Sequence, residues 1–409
     1  MSQLEIRTAT ADDFPTLSEM LAGAFAYDFA DDERDRDRIV FEPERNLLMV
    51  DGETVVGNAG AYTRDLTLPG AVSVPAAHVT MVGVSPTYRR RGVLTRLMTR
   101  QLRDVREAGE PVAALWASEG RIYQRYGYGL ACLKLSYEID LREVRLSPRA
   151  TAATGRLRDA APRDARKDLQ QVYERVRPHR PGWSSRDERW WDWTLDDPAS
   201  RRSGMTVQRA VLFDSGESTD GYVLWRTKPD WNAAGPAGEL RVVEIAAATP
   251  QAYAALWRFL LSFDLMRTAR FGFAALDDPL LYLVDEPRRL SARASDALWV
   301  RLVDVPAALE ARRYAAPLDV VIEVDDVLLP ENAGRWRLRA TGDDASCTPS
   351  ADPADLVCDV ADLSAAYLGG TSLAAMAAGG RVVERHAGAL VAATTAFGWH
   401  RAPSAIEVF

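Results

Sequence analysis

Residues His78–Met98 read HVTMVGVSPTYRRRGVLTRLM. Apolar and β-branched residues run as far as Pro86, which has no N–H to give a ladder and so ends a strand. Beyond Gly92, Val93, Leu97 and Leu102 recur at helical spacing. Between the two lie Arg89, Arg90 and Arg91, side by side in a chain with 58 acidic and 50 basic residues. A helix N-terminus presents unpaired backbone N–H groups and the positive end of the macrodipole, so it stabilises an anion. Gly92 permits close backbone approach, and arginines add charge-assisted contacts to phosphate oxygens. Strand, arginine turn, glycine and helix together describe a diphosphate cradle. The letters RRRG alone read as a solvated basic turn, so the flanking sequence has to choose between them.

Working outward, LEIRTA reads as a strand, with Asp12 and Asp13 capping a helix that carries Phe14, Leu17, Leu21 and Phe25 on one face. NLLMV and TVVGNAGAY flank Asp51-Gly52, a hairpin signal because both turn positions tolerate positive φ. LTLPGAVSV turns at Pro69-Gly70, and PVAALWAS is a short buried strand. The order is β-α-β-β-β-α-β-α. From Gly155, GRLRDAAPRDARKDLQQVYERV echoes LEIRTATADDFPTLSEMLAGAF, and LRVVEIAAATPQAYAALWRFLLSF echoes the opening stretch without its arginines and glycine. The second copy has the scaffold without the anion loop. From about Trp299, PLDVVIEVDDVLL and GRWRLRA alternate as strands, while DLSAAYLGGTSLAAMAAGG and RVVERHAGALVAATTAF read as helices. Boundaries near Arg149 and Ser295 divide the chain into 1–149, 150–295 and 296–409.

Composition sets the limits. The chain has 409 residues, 47% hydrophobic and 26% charged, which is globular and long enough for two or three domains. No apolar run reaches the roughly 18 residues of a membrane span, and the N-terminus lacks a signal-peptide pattern, so a cytoplasmic protein is expected. A net charge of −8 argues against nucleic-acid partners. Cys132, Cys347 and Cys358 have neither disulfide nor metal-ligand spacing, and His78, His179, His386 and His400 are scattered and read as structural.

With IYQRYGYG (Ile122–Gly129) added downstream, the succession of splayed strand, arginine–glycine loop, buried strand and Tyr-bearing helix resembles the acetyl-CoA core of the GNAT N-acetyltransferases. More narrowly, the whole chain resembles the Eis family: actinobacterial N-acetyltransferases with two fused GNAT-like domains and a sterol-carrier-protein-like C-terminal domain. One departure is Leu94, where the general GNAT loop ends on a small residue. The resemblance implies an α+β, mixed α/β fold: tandem GNAT domains with largely antiparallel splayed sheets, then the sterol-carrier-like domain. It implies acetyl-CoA as cosubstrate, no metal, and a homo-hexamer. It assigns Val82, Gly83 and Val84 to the pantetheine amides, Arg90, Arg91, Gly92, Val93, Leu94 and Thr95 to the pyrophosphate, and Ser118 and Glu119 to the acetyl end. As residues alone, Val82–Val84 read as core strand and Ser118 reads equally as a helix N-cap.

Amide formation from a thioester needs a neutral amine and a proton for the departing thiolate. The family pattern puts Tyr123 in the acid position; a phenol of pKa about 10 stays protonated at neutral pH. As residues alone, Tyr123, Tyr126 and Tyr128 all read as packing residues. Eis members are thought to use the chain's own C-terminal carboxylate as base, here that of Phe409. With a pKa of about 3.5 it would act through an ordered water. The ending SAIEVF is apolar, unlike a solvated tail. Asp28 and Glu407 are candidate contacts to a cationic amine, whereas DDERDRDR (Asp31–Arg38) reads as a solvated helical surface. In GWSSRDERWWDW, Trp183, Trp190, Trp191 and Trp193 read as interdomain core, with a wall of the acceptor pocket as the sharper alternative. These features favour acetyl transfer to polyamine-like acceptors such as aminoglycosides, or to lysine side chains. The alternatives are a ligand-binding or sensing protein without turnover, and transfer of longer acyl groups, which pocket depth around Met81 would decide.

Overall fold

The structure, a computed structural model, describes residues 4–148, 150, 154–342 and 344–409. The N-terminal part follows the expected order: β1 (Leu4–Thr8), α1 (Phe14–Phe25), α2 (Asp31–Arg38), β2 (Asn46–Asp51), β3 (Thr54–Leu68), β4 (Val72–Val84), α3 (Val93–Glu107), β5 (Val112–Trp116) and α4 (Gly120–Gln124). Both expected turns form, with Gly52 at φ 60° and Gly70 at φ 94°. The β1-to-β5 neighbours pair antiparallel, except β4 and β5, which run parallel across α3. Apolar residues of α3, among them Leu97, Met98 and Leu102, bury against one face of this sheet, and α1 covers the other.

A second seven-stranded sheet repeats the plan. Its order is Arg293–Asp296, Leu133–Asp140, Met266–Ala274, Gly238–Ala247, Thr219–Lys228, Arg209–Asp214 and Arg156–Ala160. Gly238–Ala247 and Met266–Ala274 pair parallel across the helix Pro250–Leu261, as β4 and β5 do across α3. The two sheets exchange strands. Leu133–Asp140, early in the chain, lies in the second sheet, while Leu298–Leu302 returns to the first and sits between β5 and Gly129–Leu130. All five residues of Leu298–Leu302 are buried, which suits a slot inside a sheet covered on both faces. The division expected at 149/150 falls at Arg149, outside the described residues. The division expected at 295/296 leaves Leu298–Leu302 in the third part by chain order, although its hydrogen bonds belong to the first sheet.

The third part has a five-stranded sheet in the order Asp344–Pro349, Gly334–Thr341, Leu318–Asp325, Leu356–Asp359 and Val382–Glu384. Its alanine-rich segments differ from expectation. The first forms two helices, Val360–Ala366 and Leu373–Ala378, broken where Gly369 adopts φ 83°. The second begins as the strand Val382–Glu384 before the helix Ala389–Phe397. Small side chains suit the helix Val360–Ala366, because the backbone at Gly129 presses close against Ala361 and Ala365. The buried Arg301 donates to both Asp326 oxygens at 2.8 and 2.7 Å, and Asn332 Nδ2 donates to Asp326 at 2.9 Å. This pair ties the first sheet to the third part. The IYQRYGYG turn lies against the same junction: a Cβ on Gly127 would come within 2.6 Å of Arg301 Nε, and one on Gly129 within 1.9 Å of the Ala361 carbonyl oxygen.

These contacts set an expectation for stability. Gly129→Ala forces the helix Val360–Ala366 off the first sheet and is expected to lower the unfolding free energy by about 1–3 kcal/mol or more in denaturant titrations. Gly23→Ala, in α1 with no atom within 4 Å of the added methyl, is expected to be neutral or stabilising by up to about 1 kcal/mol.

Candidate active site

The cleft opens where β4 and β5 part. Their ladder ends at Val79–Leu115, and beyond it Thr80–Val82 and Trp116–Ser118 diverge around a cavity of about 510 Å³. A β-bulge sits at the parting: Met81 and Val82 face the single residue Ala59 on β3, and Met81 has φ 50°. A non-glycine residue in this region is strained and needs outside support. The support is the buried Asn58, whose Nδ2 donates to the Met81 carbonyl at 2.7 Å and to Asn46 Oδ1 at 3.0 Å. Asn46 Nδ2 donates in turn to the Glu42 carbonyl at 2.8 Å. Gly60 is required beside this network, since a Cβ there would lie 2.3 Å from Asn46 Oδ1. Beyond the bulge, Gly83 and Val84 pair only with β3, and among the described residues the edge from Val82 to Val84 towards the cleft has no strand partner. Gly83 has a packing reason of its own: a Cβ would meet Leu21 at 2.9 Å and press α1 outward.

At the other end of the cleft lies the arginine turn. After a 3₁₀ turn at Pro86–Tyr88, Arg90 has φ 61° and Gly92 φ 76°, and α3 begins. The first helical bond runs from Arg96 N to the Gly92 carbonyl at 3.0 Å, so the N–H groups of Val93, Leu94 and Thr95 have no partner within the helix. Among the described residues no side chain caps them, and a Cβ on Gly92 would meet nothing within 4 Å, so the backbone at this helix start is uncrowded. Arg90 and Arg91 are exposed beside it, Arg91 over the Tyr88 ring at 4.9 Å. The Val93 side chain is buried in the core, which leaves only its backbone to an anion. The second copy is closed at the same point. Thr249 caps the helix Pro250–Leu261 by accepting from Ala252 N at 3.2 Å, and Pro250 has no N–H. One copy therefore leaves donors free at its helix start, and the other caps its own.

All three tyrosines of IYQRYGYG are buried, and they differ in whether they reach the cleft. Tyr126 and Tyr128 are buried in the core, Tyr126 with its hydroxyl 3.3 Å from Thr95 Oγ1. Tyr123 lines the cleft, and burial, followed by the nearby Tyr126, pushes its phenol up to about 12. It therefore keeps its proton across neutral and mildly alkaline pH. Phe409 lines the same cavity, its ring 4.6 Å from that of the buried His78. Burial, then the neighbouring Arg64, lowers His78 to about 3, so this support is neutral. Ser118 also faces the cavity. The position preceding α4 is Glu119, which is exposed and makes no side-chain cap bond.

What brings the terminus here is a buried charge cluster. Residues 182–185 run along the end of β3, with Gly182 N donating to the Thr67 carbonyl at 2.8 Å and Ser185 N to the Asp65 carbonyl at 2.9 Å. That places Arg186 beside Arg64, and the C-terminal tail threads between them, its Ser404 N donating to the Pro181 carbonyl at 2.9 Å. Glu407 accepts from Arg64 Nη2 at 2.5 Å and from Arg186 Nη2 at 2.7 Å. Arg186 also holds Glu244 through Nη1 at 3.0 Å and Nη2 at 2.6 Å. Side-chain exposures of 1% for Arg64, 0% for Arg186 and 11% for Glu407 show how dry the cluster is. Burial alone would raise the Glu407 carboxyl, but Arg186 and Arg64 outweigh it and hold the group at about 2.

Glu407, expected to receive substrate, is therefore committed within the protein. Asp28, the other expected acidic contact, is exposed in the turn between α1 and α2 and does not line the cleft, although Tyr27 and Phe29 do. The acid that does line it is Asp37, which accepts from Trp193 Nε1 at 3.2 Å. It belongs to the charge run that reads as solvated surface. Instead α2 lies against the second domain, with Arg36 over the Trp193 ring at 3.6 Å and donating to the Trp193 carbonyl at 3.1 Å. Both readings of the tryptophans hold in part: Trp183, Trp190 and Trp191 are buried, and Trp193 walls the cleft. Sequence reading also passed over Asn58 and Arg201, the latter a cleft residue contributed by the second domain. A polar residue among alternating apolar ones, as in VVGNAGAY, is the one signal that could have marked Asn58.

Comparison with known proteins agrees with this architecture. Profiles of acetyltransferase (GNAT) domains match residues 5–131 and 182–302, and that of a sterol carrier protein domain matches 305–405. An uncharacterized N-acetyltransferase of Streptomyces avermitilis is 44% identical over 400 residues, 98% of each chain. N-acetyltransferase Eis of Mycobacterium tuberculosis is 34% identical over 384 residues, 91% of each chain. The crystal structure of Eis1 from Mycobacterium abscessus superposes with a TM-score of 0.85 at 34% identity, covering 99% of this chain and 100% of that one. A GCN5-related N-acetyltransferase from Anabaena variabilis shares the fold, with a TM-score of 0.86 at 21% identity over 100% of both chains.

The charge cluster has a measurable pH signature. Removing one member of a buried pair costs about 3–5 kcal/mol, so Glu407→Gln is expected to lose about that much unfolding free energy at pH 7. Because the folded carboxyl is depressed from its ordinary 4.5 to about 2, its contribution is complete above 4.5 and disappears as pH falls through 2. The gap between wild type and variant should thus be flat above pH about 5 and shrink below it, read from denaturation midpoints across pH.

Proposed function

The chain belongs to the Eis family of GNAT N-acetyltransferases, and from that premise we propose that it transfers acetyl from acetyl-CoA to a primary amine held between Tyr123 and the carboxylate of Phe409. The observation carrying this reading is that both groups line the one cavity that opens at the splay of β4 and β5. The residues present suit acetyl-CoA: free N–H donors at Val93–Thr95 on an uncrowded helix start, two exposed arginines, and an unpaired strand edge at Val82–Val84. When bound, acetyl-CoA supplies the acetyl group as a thioester, whose C–S bond is exchanged for the C–N bond of the amide. Donors at the start of α3 would hold the pyrophosphate, and the β4 edge would take the pantetheine amides in the manner of a further strand. The terminal carboxylate, fixed two residues beyond the Glu407 clamp, accepts the ammonium proton through a water, leaving the nitrogen lone pair free. Tyr123 holds a proton at its hydroxyl for the departing sulfur.

Lining chemistry limits the acceptor. The cleft wall is aromatic, with Phe25, Tyr27, Phe29, Tyr62, Trp116 and Trp193, and its charges are nearly balanced: Asp37 and the terminus against Arg34 and Arg201. A single amine on an apolar or aromatic body suits it better than a polycation, which would meet both guanidiniums. Polyamine-like acceptors such as aminoglycosides form the second class, favoured by Asp37 on the aromatic wall.

Release of free CoA against aromatic amines, polyamines, aminoglycosides and lysine peptides tests these statements. Tyr123→Phe and a chain lengthened by one glycine after Phe409 should each lose about 10²-fold or more in kcat while binding acetyl-CoA as before. Full turnover in the lengthened chain would remove the terminal carboxylate from the mechanism, and preferential acetylation of aminoglycosides would reverse the acceptor order.

A further inference from the structure

The second sheet carries a row of arginines that acetyl transfer does not use. Arg226 stands directly opposite Arg241 on the neighbouring strand, and Arg241 directly opposite Arg270 on the next. Like charges in register on one face of a sheet repel and destabilise it. Their carboxylate partners are few. Asp197 serves Arg226 at 3.0 Å and Arg202 at 3.2 Å, Glu239 serves Arg241 at 2.9 Å and Arg270 at 3.5 Å, and Glu138 lies 3.4 Å from Arg270. Arg293, on the edge strand beyond, is exposed and its guanidinium has no ion pair among the described residues. A fold that needed only a solvated face here would gain by alternating the signs.

The row lines a concavity of about 440 Å³, within the range of small-molecule sites, on the part of the sheet that no helix covers. Its floor is the second domain's own splay: after Val242 and Phe271 the parallel strands part, and Val243, Gly272 and Phe273 face the opening. A Cβ on Gly272 would meet nothing within 4 Å, so the floor is bare. With the helix start sealed by Thr249 and Pro250, any anion bound here is held by side chains.

We propose that this concavity binds a small organic anion bearing two or more phosphate or carboxylate groups, seated across Arg241, Arg270 and Arg293 with its apolar part on Phe273. The site is separate from the acetyl-transfer cleft, although Phe273 meets Trp116 edge-on at 6.0 Å and Arg201 lines both spaces. It is a second ligand site on the copy of the domain that has lost its cofactor loop.

Calorimetric titration of the full chain with inorganic pyrophosphate and with citrate, in excess CoA so that the turn before α3 is filled, tests it. At least one probe should saturate one site per chain, and Arg241→Gln/Arg270→Gln should weaken it about tenfold or more, as loss of charge-assisted contacts does. Arg293→Gln, at an exposed position without an ion pair, should weaken the same probe while leaving the fold untouched. The double variant should melt near wild type, since the repulsion relieved offsets the loss of the half-exposed pairs to Glu239 and Glu138. Absence of saturable binding by either probe, or equal affinity in the variants, overturns the proposal. So does a change of oligomeric state in the double variant with no anion binding by wild type, which would make the row a contact between copies of the chain.

Discussion

One carboxylate, that of Glu407, joins all three parts of the molecule. It belongs to the C-terminal tail, and the guanidiniums it accepts from belong to β3 and to the segment after Trp183. Burying such charges is expensive, several kcal/mol for each ion, and is offset only by close pairing and further hydrogen bonds. Here Arg186 divides its donors between Glu407 and Glu244, and Arg64 lies over the Trp190 ring at 4.0 Å. Such a contact fixes register in a way that apolar packing does not. Sliding the tail by one residue would bury Val408 against two guanidiniums and leave Arg64 without its carboxylate. The position of Phe409 therefore follows from a bond made two residues earlier.

The two GNAT-like copies show how one scaffold separates fold from function. Each has a parallel strand pair that parts after a register shift, at Met81 in the first and next to Val243 in the second. They differ at the helix that follows. Where the first has glycine and unused N–H donors, the second has threonine and proline, which satisfy or remove those donors. In this way the first copy keeps its helix-start donors open, while the second offers the cleft Trp193 and Arg201 as wall.

Much of this was legible in the sequence because it is local. A strand ended by proline, an arginine turn, a glycine and a 3.6-residue period lie within 21 residues, and the weaker echo after Gly155 follows the same rules. Tyr123 and the apolar tail were also readable, the first through family resemblance and the second through composition. Long-range pairing was not. The exchange of Leu133–Asp140 and Leu298–Leu302 between sheets leaves no trace in periodicity, because each strand alternates or buries much as it would in either place. Glu407 finds Arg64 343 residues away and Arg186 221 residues away, separations over which no sequence pattern operates. Asp37 was hidden for a different reason: in DDERDRDR every residue looks solvated, and only the docking of α2 on Trp193 turns one carboxylate inward.

The most direct measurement is a crystal structure of the chain with CoA and an amine acceptor together. Expected are the pyrophosphate oxygens on the N–H groups of Val93–Thr95, the sulfur facing the Tyr123 hydroxyl, and the acceptor nitrogen reaching the Phe409 carboxylate directly or through one water. A nucleotide bound elsewhere, or a terminus turned away from the amine with CoA in place, would contradict the link between the Glu407 clamp and catalysis.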